Sequence, residues 1–271
     1  MSNRLLGCYL SCGLLSLAGC SRGLVGEGAG ITSREPAHAT LPASQSNQQA
    51  SGVAVVELFT SEGCSSCPPA DRVLAKLAAR ATSDSLPLYP LSFHVDYWNH
   101  LGWRDRFSDE RFSDRQRHYS ALSGSGGTYT PQIVVNGEAE SVGSNADQID
   151  ALIAAALQRQ PRTQIELSAR RSERGIEVSY RVSGETRRRV LNLALVEPRA
   201  DSQVENGENA GERLAHVNVV RLFTSLPLSE GISGSWSARP GPELARGPLG
   251  VVAFAEAASQ RDISGAAALE L

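Results

Sequence analysis

Apolar positions change their spacing along the chain, and each change marks an expected element. Residues 5–17 form a leucine-rich run behind Met1-Ser2-Asn3-Arg4. Residues 21–51 have no period and are mostly Gly, Ser, Ala, Gln and Pro, the composition of a flexible tether. Val53 to Thr60 is then almost continuously apolar over a strand's length, as in strands covered on both faces. Ser61-Glu62-Gly63 predicts a turn. Pro68 and Pro69 open a helix with Val73, Leu74, Leu77 and Ala78 at helical spacing. Leu86 to Val95 reads as a second strand. Residues 99–122 read as an inserted loop followed by a helix, and Thr130 to Gly137 as a third strand ending in a turn. A short strand near Ala139–Val142 and a helix over Ala146–Leu157 complete a β-α-β-α-β-β-α order. That order predicts a central sheet with helices on both faces.

Beyond Pro161 the period becomes two. Ile165 to Leu167, Ile176 to Val182 and Leu191 to Leu195 alternate, and Val217–Phe223 and Val251–Ala255 add apolar runs between Gly-rich turns. The fold class expected is therefore α/β over residues 52–161, followed by a small antiparallel β-sandwich domain over 162–271. Arg170-Arg171 and Arg187-Arg188-Arg189 fall near hairpin turns, where they read as solvated faces.

The start of the chain has the form of an export signal: a positive charge, a short apolar core and small residues. The apolar run is shorter than the ~20 residues a spanning helix needs. It ends Leu17-Ala18-Gly19-Cys20, which resembles a bacterial lipobox. Residues 1–19 are expected to be removed, with Cys20 carrying lipid and residues 20–51 acting as the tether. The bland alternative is an ordinary cleaved signal with a chance cysteine. Ser21 follows Cys20, and resemblance to Gram-negative lipoproteins implies the periplasm-facing side of the outer membrane. A formal net charge of −3 gives no reason to expect nucleic-acid binding.

Cleavage before Cys20 would leave Cys64 and Cys67 as the free thiols, since Cys8 and Cys12 depart with the signal. Thiols outside the cytoplasm oxidise. A bridge across so short a loop restrains the unfolded chain little, so the pair is a redox centre or a metal clip rather than a useful staple. Proline is tolerated only in the first turn of a helix, which puts the N-cap at Ser66 or later and Cys64 just before the helix. Helix-terminal N–H groups lower a thiol pKa, so Cys64 is expected to be the exposed nucleophile and Cys67 the buried resolving thiol. Three readings stay open: a redox-active disulfide needing no other cofactor, an inert structural disulfide, and a copper site with His94 or His118 as a third ligand. A non-catalytic binding module is the further alternative.

Val56 to Asp71, His94-Val95-Asp96-Tyr97-Trp98, Leu101-Gly102-Trp103 and Thr128 to Gln132 resemble the DUF1223 family, a branch of the thioredoxin-like superfamily. Asn206-Gly207-Glu208-Asn209 and His216 to Arg221 resemble its C-terminal part. The resemblance implies a thioredoxin-like fold. The first reading of the dithiol, an envelope thiol-disulfide oxidoreductase acting on the thiols or disulfides of envelope proteins, comes from its place after a buried-type strand and before a helix in an exported chain. The resemblance also implies a cis Pro131 facing the dithiol, with Thr130 beside the bound substrate. Thioredoxins keep a buried carboxylate below the dithiol as proton acceptor. Glu57 is one residue farther from the first cysteine than that pattern places it, so a buried proton shuttle and an outward glutamate both stay open. His94, Asp96 and Trp98 either line a groove beside the dithiol or serve packing and loop bonding.

Overall fold

Every residue of β1 (Ala54–Thr60) is buried, as its continuous apolar run demands. β1 pairs in parallel with β2 (Leu88–His94) and antiparallel with β3 (Gln132–Val135), which pairs with β4 (Ala139–Val142). Asn136 and Gly137, both at positive φ, make the β3–β4 turn. Asn136 also accepts from Val55 N–H at 2.8 Å and donates to Val53 C=O at 2.8 Å, which ties the turn to the start of β1. This computed structural model describes residues 52–124, 126–173, 175–229, 232–244, 247–258 and 262–271. The expected signal, the expected lipid site Cys20 and the expected tether lie outside the described residues. All described residues belong to one unit, Asn47–Leu271.

Helices cover both faces of this half of the sheet. α1 (Pro68–Ser83) and α3 (Ala146–Leu157) bury Leu74, Leu77, Ile149 and Ile153 against Val56, Leu58 and Ile133. α2 (Glu110–Ser123) covers the other face, packing Phe112 and Tyr119 with Val55, Phe59 and Phe93. The period of two along β1 assigns the faces: even-numbered residues meet α1, odd-numbered ones meet α2. A short 3-10 turn at Asn99–Leu101 precedes α2. No helix among the described residues is long and apolar enough to cross a membrane.

From Thr163 onward the described residues form strands and turns: β5 (Thr163–Ser172), β6 (Gly175–Gly184), β7 (Arg189–Gln203), β8 (Arg213–Pro227), β9 (Ser233–Ala238), β10 (Gly250–Ala257) and β11 (Ile263–Glu270). They do not build a separate sandwich. β8 joins β2 in parallel at Ser92 and Val219, giving one eight-stranded sheet in the order β11-β10-β7-β8-β2-β1-β3-β4. β5, β6 and β9 form a second sheet, whose Ile176, Val178 and Val182 pack on Leu191, Leu195 and Val251 of the first. The architecture is mixed α/β. The expected break at Pro161 is a change of secondary structure across which the sheet and its core run on: Val220, Val252 and Phe254 share a cluster with Phe59 and Phe93. Arg189 departs from the solvated reading. It is buried and paired with Glu185 and Asp262, each at 2.8 Å.

Candidate functional site

The dithiol sits at the first strand-to-helix junction. After β1, Cys64 N–H donates to Ser61 C=O at 3.2 Å and Cys67 N–H to Cys64 C=O at 3.1 Å, forming two successive turns. Cys67 is the N-cap of α1, with prolines at the first two helical positions. Its carbonyl accepts from Ala70 and Asp71 N–H, at 2.9 and 3.1 Å. Proline's missing donor costs nothing there, which is why Pro68-Pro69 fixes the helix start at this point. Cys64 and Cys67 are disulfide-bonded, with Cα atoms 5.4 Å apart.

Thr130 and Pro131 face the pair across a cis peptide bond. Thr130 Oγ1 donates to Cys64 Sγ at 3.3 Å, and Ser66 Oγ lies 3.3 Å from the same sulfur. Trp98 Nε1 donates to Thr130 Oγ1 at 2.7 Å, which orients that hydroxyl. Trp98 Cβ would also stand 3.2 Å from a Cβ placed on Gly63. Gly143 closes the other side: a Cβ there would fall 2.8 Å from Ala70 and 3.0 Å from Pro131, so only glycine lets the turn after β4 approach.

Cys64 is not the exposed sulfur its place before the helix suggested. Both cysteines are fully buried, although Ser65 and Ser66 between them are exposed. Residues far along the chain hold the loop that carries them. Asn209, in the turn between β7 and β8, donates to Glu62 C=O at 2.8 Å and Cys64 C=O at 3.0 Å. The Glu208 carboxylate accepts from Ser65 N–H at 2.9 Å and Ser65 Oγ at 2.7 Å.

Beside the dithiol loop lies a buried ionic cluster. His216 Nε2 is 3.5 Å from Glu62 Oε1, and its Nδ1 is 3.8 Å from Asp71 Oδ2. His216 thus bridges the turn before Cys64 and the helix after Cys67. Burial alone would push the imidazole pKa down, but the Asp71 and Glu62 carboxylates beside it outweigh burial and carry it up to about 10. Burial likewise works to raise Glu62, yet its contacts with His216, Ser202 and Trp103 win and hold it below the usual carboxylate value. Trp103 Nε1 donates to Glu62 Oε2 at 2.8 Å, and Thr60 Oγ1 to Asp71 Oδ1 at 3.1 Å. His94 Nδ1 contacts Asp105 Oδ2 at 2.7 Å, and the His94 and His216 rings meet edge-on with centroids 4.7 Å apart. Burial pushes Asp105 up, and the His94 contact together with the backbone N–H groups of Glu62 and Phe107 more than reverses it.

Several expected site residues stand elsewhere. Glu57 is buried, and burial raises its carboxyl pKa against the pull of Arg115. It nevertheless faces the α2 side of β1, away from α1. There it accepts from Arg115 at 2.5 and 3.0 Å and from Tyr119 at 2.5 Å, beside Glu256. The strand's alternation, not distance in sequence, removes Glu57 from the dithiol. Asp96 accepts from Ser113 Oγ at 2.5 Å and His94 turns inward, so these two residues form no common groove. Thr130 does reach the dithiol, and Trp98 stands behind it, bonded to the Thr130 hydroxyl. His118 lies exposed on α2, and no group of three or more His, Cys, Asp or Glu side chains suited to a metal ion occurs among the described residues. Glu62, Asp71 and His216 were missed as a unit. Each stands in a stretch that resembles the family, but nothing local joins residues 62 and 216.

The chain is similar over most of its length to a solved protein, AGR_C_4864 from Agrobacterium tumefaciens. The identity is 27%, with 80% of this chain and 94% of that one covered and a TM-score of 0.56. HBP35 of Porphyromonas gingivalis shares the fold at 15% identity, covering 82% of this chain and 76% of its own, with a TM-score of 0.56. No functionally curated protein matches. Residues 55–256 match the family model described as protein of unknown function, DUF1223, and with three-quarters of its length so matched the chain belongs to the DUF1223 family.

Proposed function

We propose that this protein is a thiol-disulfide oxidoreductase of the bacterial envelope, built on a thioredoxin-like half (residues 52–161) whose sheet is extended by a β-sandwich half (162–271). One observation carries the reading. The Cys64–Cys67 disulfide lies at a strand-to-helix junction opposite the cis Thr130–Pro131 bond, with two hydroxyls on Cys64 Sγ. Hydroxyl donors and the nearby helix N-terminus both favour a thiolate at Cys64.

In the reduced protein the Cys64 thiolate attacks one sulfur of a partner disulfide. That S–S bond breaks, its electron pair leaves on the partner's other sulfur, and a mixed disulfide forms. Cys67 then loses its proton and attacks Cys64 Sγ, expelling the second partner thiolate and closing the Cys64–Cys67 bond. Two electrons pass to the partner, and the reverse sequence donates the bridge. Cys67 is fully buried, so its proton needs a nearby acceptor. Glu57, bound to Arg115 and Tyr119 on the other face of β1, is not placed for that role. The partners would be thiols or disulfides of envelope proteins, with Cys20 tethering the chain by lipid to the periplasmic face of the outer membrane.

Burial of both sulfurs favours a second reading, a disulfide that only staples the loop. Trapping separates the two. A Cys67→Ser variant should accumulate mixed disulfides with envelope proteins, because nothing resolves them, and Cys64→Ser should accumulate few. If neither variant traps a partner, the oxidoreductase reading fails.

A further inference from the structure

The Asn206-Gly207-Glu208-Asn209 stretch has no part in the exchange chemistry, yet its last two residues place four hydrogen bonds on the dithiol loop. Asn209 holds the carbonyls of Glu62 and Cys64, and Glu208 holds the N–H and hydroxyl of Ser65. We infer that the β7–β8 turn is a gate over the Cys64–Cys67 disulfide, which must release the 62–65 backbone before a partner sulfur reaches Cys64. The inference uses the exchange reading only to say what the gate admits.

Three features make the turn a gate rather than ordinary packing. First, it is ordered within itself. Val204 and Glu212 are bridged at 2.9 Å, Gly211 N–H returns to Val204 C=O at 2.8 Å, and Glu212 N–H reaches Asn209 C=O at 3.1 Å. Such a turn can swing as a unit on the ends of β7 and β8. Secondly, its two contacts differ in kind. Asn209 is buried, whereas Glu208 and Ser65 are exposed, so water can replace the Glu208 bonds one by one while Asn209 stays seated. Thirdly, Glu208 is an anion bonded to the residue next to Cys64. It suits a neutral disulfide and repels a Cys64 thiolate, so the oxidised state favours closure and the reduced state favours release. Gly207, at φ 81°, lets the turn lie against Trp103; a Cβ there would stand 3.2 Å from Trp103 Cβ.

The test is the rate at which dithiothreitol reduces the disulfide of the full-length oxidised protein, followed by alkylation and mass spectrometry. Dithiothreitol closes to its cyclic disulfide as Cys64 and Cys67 become thiols. Because the probe is a small thiol, the outcome does not depend on activity towards protein partners. Glu208→Ala and Asn209→Ala each remove two hydrogen bonds and should each be reduced at least about tenfold faster, roughly the most that a single bond carries. The Ser65 amide should exchange hydrogen faster in both variants. Glu208→Ala changes only exposed contacts, so it keeps the test decisive if Asn209→Ala unfolds. Unchanged reduction in a folded Glu208→Ala variant, or equal acceleration by the control Glu212→Ala, would overturn the gate.

Discussion

His216→Gln should cost the protein a large fraction of its stability, and should do so with a particular dependence on pH. The imidazole is 1% exposed and is the cation between Glu62 and Asp71, at 3.5 and 3.8 Å. Glutamine fills similar space without the charge, leaving two buried carboxylates facing each other. Removing one member of a buried ion pair typically costs about 3–5 kcal/mol. The pKa gives an independent scale: a rise from 6.5 to about 10, at about 1.4 kcal/mol per unit, is an upper value of about 5 kcal/mol. The two scales agree, and both are large against a total stability of about 5–15 kcal/mol. The sign follows from linkage. His216 binds its proton more tightly in the folded state, so its contribution is complete below pH 6.5 and is lost as pH rises towards 10. Glu62, held low, acts in the opposite sense on the acid side, where its contribution disappears as pH falls through its folded pKa. Urea unfolding at pH 6.5, 8 and 9.5 separates these limbs. The wild type should weaken across that series, and His216→Gln should start lower and stay flat. A loss below about 1 kcal/mol at pH 6.5, or a variant with the wild-type slope, would refute the buried imidazolium.

Thr130→Val removes the hydroxyl that donates to Cys64 Sγ and should raise the Cys64 thiol pKa by about one to two units; alkylation rate against pH reads this, and an unchanged profile counts against the contact. Arg115→Met strands Glu57 and Glu256 and should cost about 3–5 kcal/mol in urea unfolding. It should leave Cys64 alkylation unaltered, because that network lies on the α2 face of β1. Cys20→Ala should abolish lipid attachment, and a mature N-terminus found by mass spectrometry at any residue other than Cys20 would contradict the anchor.

The first half of the fold was legible because its signals are local. The apolar run of β1, the Pro68-Pro69 helix start, the Asn136-Gly137 turn and the 3.6-residue period of α3 each fix an element within a dozen residues. The second half was legible as strands and misread as a separate body. Period two identifies a strand but not its neighbour, and the pairing of β8 with β2 joins residues more than a hundred positions apart. The site divides in the same way. Cys64, Cys67, Thr130 and Trp98 could be found from punctuation and resemblance. The face Glu57 presents could not, because alternation orders the two faces of β1 without saying which one α1 covers. Nor could the burial of Cys64, since the loop that carries it is pinned by Glu208 and Asn209. His216 gave no signal of its role, because its two carboxylate partners lie near residues 62 and 71.

The reduction potential of the Cys64–Cys67 couple bears most directly on the claim that this disulfide is exchanged rather than structural. It can be measured by equilibrating the full-length protein in thiol–disulfide buffers and alkylating the free thiols. A redox centre with a hydroxyl-stabilised Cys64 should fall between about −270 and −120 mV, the span of exchange proteins from reductants to oxidants. A value below about −300 mV, where structural disulfides resist the thiol pool, would contradict the account and leave the bond as a staple.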